Sequence, residues 1–559
     1  MSESPKSSRR SLANIATIVA IATLLSKVAG LGRTVAIAAA FGVGPTAGAY
    51  NFAYVIPGFL LILLGGINGP FHSAIVSTLA KKKREEIAPI VETVTTLVVL
   101  ALLALTVVLI VFADPLMHLV APGLYITREA AQAKNISDAA FQTLQETKAI
   151  AVVQFQIMAP MAVLAGLIGI GFGTLNAADQ YWLPSISPIF SSVTVLAGLG
   201  ILALQLGPKI TAPDYAMYGG AILAWSILAG AVLQWLVQLP VQWRSGLGGI
   251  RPRFDFNRPE VRDVIKVLGP ATFSSGMMQI NVWTDLFFAS FIPNAAAAVS
   301  AMGYASLIVQ TPLGILSNMI LVPLLPVFSR LADPENWDEL KARIRQGILI
   351  TAVAMLPLSA LLVALALPIV RLIYERVAFD SEASKITGAV LVAYSVGMFV
   401  YLSRDVLVRV FYALGDGDTP FRISIINIFL NALFDFFLVG PFGAPGLVLA
   451  TVAVNISSTI MMLFVLNRRL DGLNLRSWIQ PILGLTVASA VAGFSSWGVL
   501  LGLQSFISQQ GFLAILLELC LSGLVGLTLF GSIAAQLKVP EFDLFAARLQ
   551  SRLPSFLRR

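Results

Sequence analysis

Charge is scarce in this chain. Asp, Glu, Lys and Arg make up only 12% of 559 residues, against 57% hydrophobic residues. Soluble domains carry about 25% charged residues, so that class is excluded, and a mean hydropathy of +0.84 identifies an integral membrane protein. Cysteine is nearly absent: Cys520 alone excludes a disulfide framework and any multi-cysteine metal site. The two histidines, His72 and His118, lie in separate segments with no acidic cluster beside either, which leaves no metal or general-base constellation. No Walker-type phosphate loop is present, so ATP is not used directly. We expect no catalytic residues, no metal ligands and no cofactor, and a chain that is not an enzyme. The net charge of +8 is not interleaved with aromatics in any basic domain, which argues against nucleic acid as a partner.

Long apolar runs fill the space that charge leaves. About fourteen of them, from 12–43 to 512–536, are each long enough to cross a bilayer. A membrane barrel, with short alternating strands, has no such runs, so the fold class is an all-α polytopic membrane protein. Basic residues collect in alternate connections, such as Lys81–Arg84 and the segment holding Arg244, Arg251, Arg253, Arg258, Arg262 and Lys266. By the positive-inside rule both termini are cytoplasmic. The external segment 114–146 reads as containing an amphipathic helix. The segment 244–261, with Gly246, Gly248 and Gly249, reads as a flexible linker whose arginines rest on anionic headgroups.

The two halves resemble each other. Pro57 and Pro312 are 255 residues apart and precede Ser77 and Ser329, 252 apart. Six helices per copy give parallel repeats related by an axis along the membrane normal. The expected domains are an N-lobe 1–243 (helices 1–6), a linker 244–261, a C-lobe 262–468 (helices 7–12) in pseudo-twofold arrangement with the first, and 469–559, holding helices 13–14 and a basic tail.

Polar groups inside such runs point to function, since a lysine, arginine or aspartate at mid-bilayer costs roughly 2.5–3.5 kcal/mol on insertion scales. Lys27 and Arg33 sit deep in the first run, Arg404 and Asp405 in the tenth and Asp285 in the seventh. Asp405 is four residues from Arg409 and can pair with it on one face, leaving Arg404 to line a cavity. Lys27 and Arg33 point about 120° apart on an ideal helix, so they converge only if Gly30 and Gly32 bend or unwind it. Pro57, Pro70, Pro312 and Pro323 add further bend or gating positions. The run Gly169, Gly171 and Gly173 reads as close packing between helices.

The residues Leu25-Ser26-Lys27-Val28-Ala29-Gly30-Leu31-Gly32-Arg33, Phe41-Gly42-Val43-Gly44, Ile56-Pro57, Gly69-Pro70-Phe71, Leu183-Pro184, Leu325-Pro326 and Ala413–Asp416 through Thr419-Pro420 give the chain a resemblance to the MurJ (MviN) family of lipid II flippases. That family lies in the multidrug/oligosaccharidyl-lipid/polysaccharide exporter superfamily. The resemblance implies two six-helix lobes and a terminal pair forming a groove for the lipid tail. It also implies alternating access that moves the undecaprenyl-diphosphate-linked peptidoglycan precursor to the outer leaflet of the bacterial inner membrane, in service of cell-wall synthesis and cell shape. Its implied partners are that lipid-linked saccharide, membrane lipids and cell-wall synthesis proteins. Lys27, Arg33, Arg404 and Asp285 are then the central-cavity substrate residues, with Lys27 where arginine is common. The chain departs from the family pattern where Gly48 replaces an acid and where Leu61 and Leu307 replace cations.

Other readings are a flippase or exporter for another polysaccharide-lipid or amphipathic substrate, and a non-transporting membrane scaffold. If Asp285 pairs with a cation of the first helix, Asp285→Arg should abolish growth of a flippase-depleted cell. Combining it with Lys27→Glu or Arg33→Glu should restore growth. The pairing is wrong if neither combination does so.

Overall fold

The computed structural model describes residues 6–66, 70–79, 84–257, 259, 261–262, 266, 279–506 and 511–543. Lipid offers no partner for a free N–H or C=O, so a spanning chain must satisfy its backbone within each segment, and the described residues form helices and no strands. The helices are α1 Lys6–Phe41, α2 Pro45–Gly65, α3 Pro70–Leu79, α4 Arg84–Val111, α5 Ala113–Val120, α6 Arg128–Ala133, α7 Asp138–Met158, α8 Met161–Ala177, α9 Trp182–Ile186, α10 Pro188–Leu206, α11 Ala216–Leu236 and α12 Leu239–Arg244. After them come α13 over 279–289, α14 Ala295–Arg330, α15 Trp337–Ala364, α16 Ala366–Tyr374, α17 Ser381–Val396, α18 Met398–Ala413, α19 Asp418–Phe442, α20 Ala444–Arg469, α21 Arg476–Phe506 and α22 Phe512–Gln536.

Among the described residues twelve helical stretches are long and apolar enough to cross a membrane, or thirteen if α7 and α8, bent by 42°, form one span. About half of the expected seventh run, 263–265 and 267–278, lies outside the described residues. Two compact units result, Met1–Ser300 with Arg376–Phe379, and Ala301–Glu375 with Asp380–Arg559.

In the first unit the glycine positions of α8 admit close neighbours, as their spacing suggested. A Cβ at Gly173 would stand 2.7 Å from Ile75 Cβ of α3. The segment after α12 is less free than a flexible joint requires. Leu247 and Val261 are buried in one cluster with Val91, Val94 and Val98 of α4, and Arg253 N–H donates to Thr96 Oγ1 at 2.9 Å. The apolar residues within an otherwise polar linker account for this docking. At the other end of α4, α5 buries Ala113, Met117 and Val120 on one face while Leu119 stays exposed, a short amphipathic helix. It is followed by Tyr125, whose phenol is pushed up by burial and by its hydrogen bond to Asp114.

In the second unit α21 and α22 join α15 through small residues. Ala352, Ala488, Ala492 and Ala534 are fully buried with Leu485 and Phe530, and Ser496 donates to the Ser522 carbonyl at 2.9 Å. Beyond α22, Arg345 pairs with Glu541 at 2.9 Å.

The turn after α1 shows how tightly such helices end. Gly42 has φ +56, Ala378 N–H donates to the Ala39 carbonyl at 3.0 Å, and a Cβ at Gly42 would overlap the Ala378 carbonyl oxygen. Gly443 has nearly the same φ, +59, with nothing near its Cβ position. Left-handed backbone costs a residue with a side chain about 1–2 kcal/mol, and overpacking adds typically 1–3. Gly42→Ala should therefore lower the melting temperature in detergent clearly more than Gly443→Ala. Equal shifts would remove the close approach from the explanation.

Candidate functional site

The apolar α1 carries two charges, and the structure treats them differently. Lys27 is exposed on a face shared with Leu24, Val28 and Leu31. Arg33 is half-buried, and its Nε is enclosed with no hydrogen-bond partner among the described residues. The expected unwinding at Gly30 and Gly32 is not part of this conformation. α1 is helical without interruption, and Thr34 Oγ1 donates back to the Gly30 carbonyl at 3.1 Å, closing the ladder over these glycines. Lys27 and Arg33 therefore do not converge along α1. Pro57, Pro312 and Pro323 lie inside continuous helices. Pro70 instead starts α3 after a break in the second run, where proline's missing N–H is harmless.

Arg33 faces aromatic company that its own sequence neighbourhood did not reveal. Tyr50 and Tyr54 of α2 both lie within the field of its guanidinium, and their rings stand 5.2 Å apart, tilted by 35°. Gly58, one turn on, leaves room for the Tyr54 ring, which a Cβ there would overlap. The i, i+4 spacing of the two tyrosines was the available signal. A cation with an unsatisfied donor beside two phenols can take an anion, with ring faces at hand for a sugar or other flat group.

Gly48, where the family pattern has an acid, meets α14 instead. A Cβ there would overlap Ala296 Cα and stand 2.5 Å from Ala296 Cβ. This position has exchanged a charge for helix contact. Asp285 is half-buried on α13, near Asn281 Oδ1 and Trp283 Nε1, which are buried without partners among the described residues. Leu61 is half-buried, in contact with the cluster of α3, α4 and α8.

In the second unit Arg404 is largely used by the fold. Its Nε donates to the fully buried Ser458 of α20 at 3.1 Å, and its guanidinium lies 3.9 Å from Asp405. Arg409 also acts on Asp405, so the carboxylate sits between two cations rather than in the single Asp405–Arg409 pair expected. At Leu307, Ser306 and Gln310 hydrogen-bond to each other at 2.6 Å, leaving a neutral polar pair beside the missing cation. The motif piece at 413–420 is a helix start. Burial works against the charge of Asp416, but hydrogen bonds from Thr419 N–H and Oγ1 and the nearby Arg469 outweigh it and hold the carboxyl below its ordinary range.

A further polar line runs along α19. The buried face of α19 consists of Pro420, Ile423, Asn427, Asn431 and Asp435, and Asn431 Nδ2 donates to Asp435 Oδ2 at 2.9 Å. The four-residue spacing of Asn427, Asn431 and Asp435 in an apolar helix was its signature.

Comparison with known proteins places these features in context. Residues 37–522 match the family model described as Lipid II flippase MurJ. A curated relative from Synechocystis sp., named "Probable lipid II flippase MurJ", is 56% identical over 98% of this chain and 99% of its own length. One from Burkholderia cenocepacia, "Lipid II flippase MurJ", is 28% identical over 85% and 88%. Among solved structures, "Lipid II flippase MurJ, inward closed conformation" superposes with a TM-score of 0.71 at 22% identity, covering 93% of this chain and 99% of that one. An inward-facing MATE family multidrug transporter of the MOP superfamily gives 0.62 at 16% identity, covering 82% and 98%. Both of these structures bear on the fold.

If Gly48 is held by contact with α14, restoring an acid there should fail. Gly48→Asp should sharply reduce the monodisperse yield on size-exclusion chromatography, and Gly48→Ala should reduce it as well because the first added carbon already overlaps. Normal yield of Gly48→Asp would mean the contact is easily relaxed.

Proposed function

Since the chain belongs to the family of the lipid II flippase MurJ, we propose that it moves lipid II from the cytoplasmic to the outer leaflet of the bacterial inner membrane. In this reading the chain is a transporter in peptidoglycan synthesis, works by alternating access of its two six-helix halves, and keeps both termini in the cytoplasm. It carries out no bond-making step.

The observation that carries the reading is Arg33. A guanidinium in a membrane span should be paired, yet its enclosed Nε has no hydrogen-bond partner among the described residues, and Tyr50 and Tyr54 of α2 lie within its electrostatic reach. An anionic ligand satisfies this donor. Diphosphate accepts charge-assisted hydrogen bonds from guanidinium in bidentate geometry and from lysine as a point charge. Lys27, exposed on another face of α1 in this conformation, supplies the second cation when α1 bends at Gly30 and Gly32. The tyrosine rings offer surfaces for the saccharide. Arg404 and Asp285 are the remaining proposed cavity residues; Ser458 and Asp405 already engage Arg404. Gly30, Gly32, Pro57, Pro70, Pro312 and Pro323 are the positions at which bending would accompany transport.

The halves proposed to move are 1–243 and 262–468, joined through 244–261, with 469–559 appended. Cell-wall synthesis proteins are the proposed protein partners. Exchange of Gly48, Leu61 and Leu307 for the family's charges leaves fewer groups on the headgroup, so each remaining cation should matter more.

Hydrogen bonds to charged groups contribute about 1.5–3 kcal/mol each, and 1.4 kcal/mol is tenfold in affinity. The double variant Lys27→Ala, Arg33→Ala should thus lose about two orders of magnitude in headgroup affinity. It should fail to support growth of a cell depleted of its own lipid II flippase while being present at normal level. Growth with that variant would overturn the cation site, and failure of the unaltered chain to support growth would overturn lipid II as the substrate.

A further inference from the structure

A second site lies away from α1, where the segment after α12 docks on α4. Its cavity, of about 500 Å3, is lined by Glu92 of α4, Trp243 of α12, and Gly248, Gly249 and Arg251 of the connecting segment. The glycines shape it. Gly248, at φ +102, passes close to the Ala88 carbonyl, and a Cβ at Gly249 would overlap the Trp243 indole.

Glu92 is the unusual group. It is 8% exposed, its carboxylate makes no hydrogen bond among the described residues, and its nearest cation, Arg253 Nε, stands 4.0 Å away. Its carboxylate opens onto the cavity, where donors of a ligand can reach it. Arg251 lines the cavity and Arg253 stands beside Glu92, so two guanidinium groups meet one acid here, and the complement is an anion that also carries hydrogen-bond donors.

Position selects the source of that anion. Glu92 is six residues into the span that begins at Glu86, about 9 Å along the helix. That is within two turns of the end of the span, where the interfacial layer begins for a helix of this length, and Trp243, 54% exposed, has the side chain favoured at such an interface. From Glu92 the surface of α4 continues into hydrocarbon. Leu103 lies about 20° and Leu100 about 80° round the helix from it, and both are exposed, as is Val107 further on.

We infer that this cavity holds the headgroup of an anionic membrane lipid whose phosphate is esterified to a hydroxyl-bearing group. Glu92 accepts from the hydroxyls, Arg251 and Arg253 face the phosphate, and an acyl chain lies along Leu100, Leu103 and Val107. A zwitterionic headgroup supplies the donors but leaves the excess positive charge unmatched. A bare phosphate monoester offers Glu92 at most one P–OH, which ionises near neutrality, where a polyol headgroup keeps its hydroxyls. A lipid seated here touches both α4 and the start of the inter-lobe segment, so it stiffens their junction.

Native mass spectrometry of the full chain in detergent tests this assignment, with phosphatidylglycerol and phosphatidic acid of equal acyl chains as probes. The unaltered chain should retain phosphatidylglycerol roughly tenfold more tightly, as expected for a charge-assisted hydrogen bond. Glu92→Ala should collapse that preference to below about threefold, and Arg251→Ala should weaken both lipids together. No preference in the unaltered chain overturns the assignment, and that measurement stands even if Glu92→Ala does not fold. A preference that survives Glu92→Ala also overturns it. Displacement of the lipid by free glycerol 1-phosphate at equal concentration would show instead a soluble phosphate ester as the ligand.

Discussion

A polar group in hydrocarbon must find a partner inside the protein or meet its ligand there, and most of this structure follows from that requirement. The backbone meets it by being helical, and side chains meet it by bonding back onto their own helices. Thr34, Thr106 and Thr174 each donate to a carbonyl one turn earlier. Buried charges meet it through neighbours, as Arg404 does with Ser458 and Asp405 and Asp435 does with Asn431. Arg33 is the exception among the cations of interest, because its Nε is enclosed and has no hydrogen-bond partner among the described residues. A group left in that condition by a well-packed fold is where an incoming anion gains most.

Close approach is the second theme. With no apolar solvent contrast to drive helices together, membrane helices associate through packing of small residues. Gly48 against Ala296, Gly173 against Ile75 and Gly42 against Ala378 are instances within one unit. The first has a functional side. Where the family resemblance leads one to expect an acid after the first helix, this chain has a close contact with Ala296, so Gly48 bears on packing as well as on electrostatics. The neutral Ser306–Gln310 pair near Leu307 is a comparable substitution of hydrogen bonding for charge.

The segment after α12 combines both themes at the membrane surface. Leu247 and Val261 bury against α4, and the glycines between them let backbone and indole pass closely enough to enclose Glu92. The result fastens the segment after α12 to α4, a helix whose other face is exposed and apolar.

Much of the protein was legible from residue order alone. Scarce charge and repeated long apolar runs determined an all-helical membrane protein, because only helices of about that length satisfy their backbone across lipid. The motif pieces from Leu25 to Pro420 pointed to the family, since their order and spacing survive where any single piece is ambiguous. The tertiary structure decided what each polar residue does. Lys27 and Arg33 looked equivalent in the sequence, but one is exposed and the other enclosed. Tyr50 and Tyr54 joined Arg33 only when α2 packed beside α1, and Gly48 became a contact only when α14 arrived. Arg404 was taken up by Ser458, 54 residues away. Local periodicity specifies a helix because its hydrogen bonds are local. Whether a charge within it is paired depends on side chains brought from distant segments, and that is settled by packing.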